Sequence, residues 1–216
     1  GAHKFYEDYG IPIIGIPGTI DNDLSGTDNT IGYDTASNTA MHAIDNIRDT
    51  ASSHDRLFFI EVMGRDAGFI AVNSGIAGGA AAIMIPEKRM SIDELIEKLD
   101  LSAKSKKLSS LVVVAEGGKS GSAIEIAEKV NQRMTNYDTK VTILGHLQRG
   151  GAPSCFDRVL ASRLGVAAVE GLLNGEKDVM AGMINNKIAF TPLLQAISEK
   201  KEIEEEALRV AKILSI

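Results

Sequence analysis

The residues best suited to chemistry follow an apolar stretch near the amino terminus. The run Pro17–Asp23, which reads PGTIDND, comes directly after residues 11–16. Gly18 has no side chain, so phosphate groups can approach the backbone closely at that point. Of the two carboxylates, Asp21 and Asp23, one can accept a proton from an alcohol while the other attracts a divalent cation. The run is therefore suited to phosphoryl transfer, although an isolated Asp-Asn-Asp is more often a solvated turn.

Three further loops at predicted strand ends carry groups that bind anions or sugars. They are Met63–Arg65, Glu116–Gly118 and His146–Gly151. Arginine binds phosphate through two parallel hydrogen bonds, histidine adds a donor, and glutamate accepts from sugar hydroxyls. Each loop alone is equally typical of a helix cap or a surface charge, so only the set as a whole indicates a ligand site.

The elements that must position these loops alternate along the chain. Short apolar runs predict strands at residues 11–16, 57–63, 81–85, 111–115 and 141–144. Amphipathic stretches predict helices at residues 34–48, 123–134, 156–173 and 203–214, and one more that begins at Ser91 with a capping box to Glu94. Alternation of this kind predicts an α/β fold with a mostly parallel sheet.

Composition narrows the classes of partner. The chain has 216 residues, 44% of them hydrophobic, and a formal net charge of -6. A negative field opposes nucleic acids and anionic membranes, so neither is an expected partner. No apolar run approaches the roughly 20 residues that span a bilayer, and the expected location is the cytoplasm. The single cysteine, Cys155, has no partner for an internal disulfide.

Taken together, these loops closely resemble the ATP-dependent phosphofructokinases of the bacterial type, across essentially all 216 residues. The resemblance implies a glycolytic kinase that uses ATP and Mg²⁺ to phosphorylate the 1-hydroxyl of fructose 6-phosphate. The products would be fructose 1,6-bisphosphate and ADP. It implies that Asp21 is the general base, that Thr19 positions phosphoryl oxygens, and that Arg65 stabilises the charge on the transferred group. Asp23 would help to hold the magnesium ion.

The resemblance also implies a set of substrate-binding residues. They are Thr19, Asp21, Arg56, Met63, Gly64, Arg65, Glu116, Lys140, His146 and Arg149. Met63 and Gly64 would line the sugar pocket, Glu116 would accept from sugar hydroxyls, and His146 and Arg149 would hold the 6-phosphate.

In the family, two more basic residues reach this phosphate from a neighbouring subunit. Arg56 matches the first of them, and Lys140 stands where the second is usually arginine. Lysine is a point charge without the planar fork of arginine, so binding there is expected to be weaker or differently oriented. A homo-oligomer follows, in the family usually a tetramer.

For the fold, the resemblance implies the parallel-sheet, Rossmann-like phosphofructokinase architecture, with one complete smaller domain and part of a larger one. Residues 1–32 and 148–198 would belong to the larger, nucleotide-side domain. Residues 33–147 and 199–216 would form the smaller, substrate- and effector-side domain. The family's nucleotide loop belongs upstream of Gly1, so this chain alone is expected to have little or no kinase activity.

The sequence specifies the phosphoryl donor less completely than the site residues. Pyrophosphate-dependent relatives generally carry lysine at the position of Gly18, so glycine favours ATP. A pyrophosphate-dependent kinase and a catalytically silent sugar-phosphate-binding subunit remain as alternatives.

Arg48 and Lys107 match basic positions of the family's effector site, but helix-end surface charges explain them nearly as well. Ala81 replaces a glutamate that is common there, so effector control is expected to be altered or lost.

Overall fold

The computed structural model describes residues 1–50, 56–104, 110–118, 120–135 and 137–214. The described helices are α1 (Ala2–Tyr9), α2 (Tyr33–Thr50), α3 (Phe69–Ala77), α4 (Ile92–Lys104), α5 (Ala123–Asn131), α6 (Cys155–Leu173), α7 (Leu193–Ser198) and α8 (Glu205–Leu214). The described strands are β1 (Ile14–Gly15), β2 (Arg56–Val62), β3 (Ala82–Met84), β4 (Ser110–Ala115), β5 (Asp138–Ile143), β6 (Val179–Ile184) and β7 (Lys187–Pro192). A short 3₁₀ helix, Gly145–Arg149, follows β5. None of the described helices is long and apolar enough to span a membrane.

These elements form two compact units, which are residues 1–35 with 152–202 and residues 36–151 with 203–216. The first unit contains a three-stranded sheet of order β1-β6-β7, in which β1 is parallel and β7 antiparallel to β6. The second contains four parallel strands in the order β3-β4-β2-β5. The predicted α/β class is confirmed. The assignment of the units to a nucleotide side and a substrate side remains a prediction.

The core of the second unit explains why its strands are readable from sequence. β2 and β4 lie at the centre of the sheet, and residues 57–60 and 111–115 are buried. Strands that are covered on both faces read as continuous apolar runs, and burial of those runs is the main favourable term in folding. The helices add a shared set of buried side chains to this core, namely Leu95, Leu99, Ile126 and Val130.

The predicted capping box at Ser91 is confirmed. The Ser91 hydroxyl oxygen accepts a hydrogen bond from the Glu94 backbone N–H at 3.1 Å, and the Ser91 N–H donates to the Glu94 carboxylate at 2.7 Å. The hydrogen bond from the Ser91 backbone N–H, followed by one from the Ser91 side chain, favours the charged form of the Glu94 carboxyl and so lowers its pKa. α4 therefore begins where the pattern placed it.

The predicted strand at residues 11–16 is wrong in length, because β1 contains only Ile14 and Gly15. Pro12 and Pro17 flank it, and a proline has no N–H to donate to a ladder. The stretch is therefore mostly an extended approach to the loop that follows it, with β6 as the partner of β1.

The hairpin of β6 and β7 was not predicted. Its two-residue connection is Asn185 and Asn186, whose φ angles are 50° and 61°. Two consecutive positive φ angles match the right-handed twist of hairpin strands, and asparagine tolerates them better than most residues. The Asn-Asn pair, which lies between the two apolar runs of β6 and β7, was thus the sequence feature that could have predicted the hairpin.

Asp157, in the first turn of α6, holds the start of α2. Its buried carboxylate accepts from the Gly32 N–H at 2.9 Å, from the Thr35 N–H at 2.8 Å and from the Thr35 hydroxyl. The first N–H groups of a helix have no partner within the helix, so this carboxylate satisfies donors that are otherwise orphaned. The contact orients the chain as it leaves the loop after β1.

Candidate active site

The loop after β1 is closed by its own hydrogen bonds. The Ile31 N–H donates to the Pro17 carbonyl at 2.8 Å. Asn22 is buried at a φ of 55°, where its side-chain oxygen accepts from the Thr30 N–H at 3.0 Å. The Thr30 hydroxyl donates to the Thr19 carbonyl at 2.6 Å. The loop is therefore held in one conformation by Asn22 and Thr30.

This loop gives its two carboxylates different surroundings. Asp21 is only 5% exposed, and its backbone N–H donates to the Thr19 hydroxyl oxygen at 3.2 Å. Asp23, two residues on, is exposed. A buried carboxylate in a fixed loop is suited to accept a proton from a bound alcohol, whereas an exposed one is accessible to a hydrated cation.

Gly18 lies in the same loop and is exposed. A Cβ atom built on it would meet nothing within 4 Å. Packing within the described residues therefore does not demand glycine there, and approach of a ligand to the backbone is a sufficient reason for it.

In the second unit, three loops lie at the carboxyl ends of the neighbouring strands β4, β2 and β5. The Met63 N–H donates to the Gln148 side-chain oxygen at 2.8 Å, which joins the loop after β2 to the 3₁₀ helix after β5. The Arg65 N–H donates to Glu116 Oε1 at 3.2 Å, which joins it to the loop after β4. The structure thus brings together Met63, Gly64, Arg65 and Glu116 with the helix that carries His146 and Arg149.

The backbone of Arg65 has a φ of 53°, in the left-handed region that non-glycine residues seldom adopt. Such conformations concentrate at ligand sites, where surrounding contacts hold them. Here the hydrogen bond to Glu116 supplies such a contact, and the Arg65 side chain remains exposed. The sequence indicated Arg65 as a site residue but did not predict its left-handed backbone.

Gly64 is needed for the shape of the turn. A Cβ atom there would overlap the Ala67 carbonyl oxygen, while the Ala67 N–H donates to the Gly64 carbonyl at 2.8 Å. We expect Gly64→Ala to lower the free energy of unfolding by about 1–3 kcal/mol, as in other overpacked sites, measured by urea denaturation. Gly118→Ala is the matched control, since its Cβ would lie 3.5 Å from the Ala115 carbonyl oxygen, an ordinary contact. Equal losses in the two variants would contradict this explanation.

Arg56 and Lys140 do not join this edge of the sheet within one chain. Arg56 begins β2, whose seven residues separate it from the loop at Met63 by about 20 Å. Lys140 pairs with Phe58 in the sheet register, and its Nζ lies 2.8 Å from Asp138 Oδ1. Arg56 Nε lies 3.9 Å from the same carboxylate. The prediction that the two act on a neighbouring subunit's site is untested.

The effector-site prediction is also untested. Arg48 pairs with Asp45 at 3.1 Å and donates to the Gly78 carbonyl at 3.4 Å, so it has structural contacts of its own. Ala81 is buried. Lys107 lies outside the described residues.

No group of three or more metal-binding side chains is found among the residues that the structure describes. Mg²⁺ typically keeps several waters and is held by one or two carboxylates together with substrate phosphates. Exposed Asp23 is therefore chemically suited to contribute one ligand, in the role predicted for it.

Two residues that support the site were not predicted. Gln148 is 1% exposed although both His146 and Arg149 in the same short helix are exposed. Asp157 caps α2 from a distant part of the sequence. Gln148 lay within the run that marks the site, but nothing in its neighbours indicated burial.

Parallel strands whose carboxyl ends carry carboxylates, arginines and a histidine are the arrangement of α/β proteins that bind phosphorylated ligands. The family model described as Phosphofructokinase matches residues 1–172. The chain therefore belongs to the phosphofructokinase family.

Similar proteins agree with this family. The ATP-dependent 6-phosphofructokinase 2 of Bacteroides thetaiotaomicron is 51% identical over 216 residues, which are 100% of this chain and 66% of that protein. The ATP-dependent 6-phosphofructokinase 1 of Thermus thermophilus is 50% identical over 100% of this chain and 67% of its own length. The chain thus spans about two thirds of the length of these curated relatives.

Solved structures of the family have the same fold. Phosphofructokinase from Saccharomyces cerevisiae matches with a TM-score of 0.81 and 34% identity, over 99% of this chain and 29% of that one. The pyrophosphate-dependent phosphofructokinase from Marinobacter aquaeolei matches with a TM-score of 0.80 and 26% identity, over 98% of this chain and 62% of that one. A phosphofructokinase that is named for pyrophosphate therefore has the same fold as this chain.

Proposed function

We propose that this chain is the sugar-phosphate and catalytic-base portion of an ATP-dependent 6-phosphofructokinase, a cytoplasmic enzyme of glycolysis. The observation that carries the proposal is the buried carboxylate of Asp21 in a loop that Asn22 and Thr30 hold in one conformation. The names of relatives at about 50% identity support ATP as the donor. The remaining third of the relatives' length is proposed to precede Gly1 and to supply most of the nucleotide site.

In the proposed reaction, Asp21 accepts the proton of the 1-hydroxyl of fructose 6-phosphate. The hydroxyl oxygen forms a bond to the γ-phosphorus of ATP as the bond from that phosphorus to the leaving ADP oxygen breaks. Such transfers depend mainly on positioning and on stabilising charge at the transferred group. Thr19 positions phosphoryl oxygens, and the Arg65 guanidinium stabilises their charge.

The substrate is held by groups of the second unit. His146 and Arg149 bind the 6-phosphate, and Met63 and Gly64 line the sugar. One oxygen of Glu116 already accepts from the Arg65 N–H, which leaves the other to accept from a sugar hydroxyl. Arg56 and Lys140 are proposed to reach the 6-phosphate bound by a neighbouring copy, which requires a homo-oligomer such as a tetramer.

When bound, Mg²⁺ would neutralise part of the negative charge on the transferred phosphoryl group. Asp23 is the residue of this chain proposed to contribute to its binding. Exposure leaves its carboxylate accessible to such an ion.

The proposal is tested with a hybrid protein, in which the unmatched third of the Bacteroides thetaiotaomicron relative is joined ahead of Gly1. We expect the hybrid to form fructose 1,6-bisphosphate from ATP and not from pyrophosphate, and the 216-residue chain alone to form little or none. Binding of fructose 6-phosphate without turnover in the hybrid would favour a silent subunit instead. Turnover with pyrophosphate would favour the other kinase.

Gly18 gives the sharpest test of the donor. We expect Gly18→Lys in the hybrid to abolish ATP use, because a side chain there would crowd the α-phosphate of the nucleotide. Gly165→Lys in α6 is the control, since a Cβ there meets nothing within 4 Å and Gly165 has no role in the proposed reaction. Steady-state rates with saturating ATP measure both. A Gly18→Lys protein that uses ATP at the unmodified rate would show that Gly18 does not determine the choice of donor.

A further inference from the structure

Gln148 is a deeply buried polar side chain at the ligand-binding edge of the second unit, with 1% exposure. It lies in the 3₁₀ helix Gly145–Arg149, between the exposed residues His146 and Arg149. Its Oε1 accepts a hydrogen bond from the Met63 N–H at 2.8 Å. One buried amide therefore connects the helix proposed to hold the phosphate with the turn proposed to line the sugar.

The other end of this amide is unsatisfied. Gln148 Nε2 is buried, and it has no hydrogen-bond partner among the described residues. Buried polar groups in native proteins nearly always have a partner, and a donor that lacks one costs stability. Since Oε1 is occupied by the Met63 N–H, the missing partner of Nε2 must be an acceptor. Because Nε2 is buried, a bound ligand does not reach it, and the amide acts on the site through its hydrogen bond to Met63.

The backbone around Met63 makes the connection rigid. Gly64 and Ala67 close a tight turn directly after Met63, and the Arg65 N–H is held by Glu116. The turn therefore has little freedom to move away from Gln148. A shift of the 3₁₀ helix would break the bond from Met63 to Gln148 rather than bend the turn.

We propose that Gln148 is a positioning residue that sets the spacing between the phosphate-binding helix and the sugar-binding turn. This inference rests on the proposed function, because it assumes that fructose 6-phosphate binds at this edge. It assigns to Gln148 a selectivity for sugar phosphates over free phosphate.

The consequence is a difference between two ligands. Inorganic phosphate needs only His146 and Arg149, whereas fructose 6-phosphate must meet those residues and the Met63–Arg65 turn at once. Two linked contacts add their binding energies only if their spacing is right. Loss of the Gln148 amide therefore weakens the binding of fructose 6-phosphate more than the binding of inorganic phosphate.

The test compares the 216-residue chain with its Gln148→Met variant, in which the side chain keeps its size and loses both polar atoms. Titration calorimetry measures Kd for fructose 6-phosphate and for inorganic phosphate. We expect the Kd for fructose 6-phosphate to rise about tenfold, as for the loss of one or two hydrogen bonds, while the Kd for inorganic phosphate stays nearly constant. Gln132→Met, at an exposed glutamine of the same unit, is the matched control and leaves both values unchanged.

A merely structural role predicts a different result, in which both affinities fall together or neither changes. Either outcome overturns the inference. If the unmodified chain binds fructose 6-phosphate no more tightly than inorganic phosphate, the proposed function fails, and this inference fails with it. If Gln148→Met binds both ligands and the ratio of their two Kd values equals that of the unmodified chain, the inference is overturned while the proposed function stands.

A measurement on the unmodified chain does not depend on how well the variant folds. In an NMR spectrum of ¹⁵N-labelled protein, the Met63 backbone N–H, which donates to Gln148, is expected to shift when fructose 6-phosphate saturates the chain and to stay in place with inorganic phosphate, because only the sugar reaches the Met63–Arg65 turn. Equal shifts of the Met63 resonance with the two ligands would overturn the inference, because the turn would then not distinguish the sugar phosphate from free phosphate.

Discussion

Replacing Asp21 by asparagine is expected to lower kcat of the hybrid enzyme by about 10²- to 10⁴-fold, the usual worth of a general base. Asparagine has nearly the same shape as aspartate but does not accept a proton from an alcohol. The hydrogen bonds of Asn22 and Thr30 hold the loop, and the substitution leaves both residues in place. The KM for fructose 6-phosphate should therefore change little, and steady-state kinetics measures both constants.

A matched control for this variant lies in the same loop region. Asp28 is exposed, and its Oδ2 accepts from the Asn185 N–H at 2.7 Å, a role that an asparagine oxygen also fills. Asp28→Asn should therefore keep kcat. If Asp21→Asn works at the rate of Asp28→Asn, Asp21 is not the base.

The second large effect is expected at Arg65, where function and stability should separate. Arg65→Gly removes the guanidinium, and loss of one such electrostatic group lowers kcat by about 10²- to 10³-fold. Glycine adopts a φ of 53° without the steric cost that arginine bears, so the free energy of unfolding should not fall. The kinetic assay and a urea unfolding curve measure the two effects independently.

Asn185→Gly is the control for that variant. Asn185 has a φ of 50° in the hairpin turn of the first unit and has no role in the proposed reaction. It should therefore retain the unmodified kcat. An Arg65→Gly enzyme that also retains kcat would show that Arg65 does not act on the transferred group.

The parts of the fold that sequence predicts well are those where one local rule acts alone. Residues 57–60 and 111–115 are buried in central parallel strands, so their continuous apolar runs admit few other interpretations. The start of α4 follows from Ser91 and Glu94, three residues apart. The site loops were found because each follows a strand and carries groups suited to anions.

The parts that it predicts poorly depend on residues that are distant in the chain. The carboxylate of Asp157 serves N–H groups of Gly32 and Thr35, about 120 positions earlier. Gln148 is buried and bonded to Met63, 85 positions earlier, whereas its neighbours Leu147 and Arg149 are exposed. Neither contact leaves a periodic pattern, since hydrophobic periodicity reports only which face of one element is covered.

The division into units shows the same limit. The chain changes unit after Thr35, Gly151 and Glu202, and the first of these boundaries lies inside the helix α2. Boundaries of this kind follow from how distant segments pack rather than from local composition.

Titration of the 216-residue chain with fructose 6-phosphate tests most directly whether this chain carries a sugar-phosphate site. We expect saturable binding at a single site in each chain, and its loss in a variant with both His146→Ala and Arg149→Ala. Arg133→Ala with Lys129→Ala, at exposed cations of the same unit, should bind as the unmodified chain does. An absence of binding in the unmodified chain, or equal binding in the His146 and Arg149 double variant, would contradict the presence of that site.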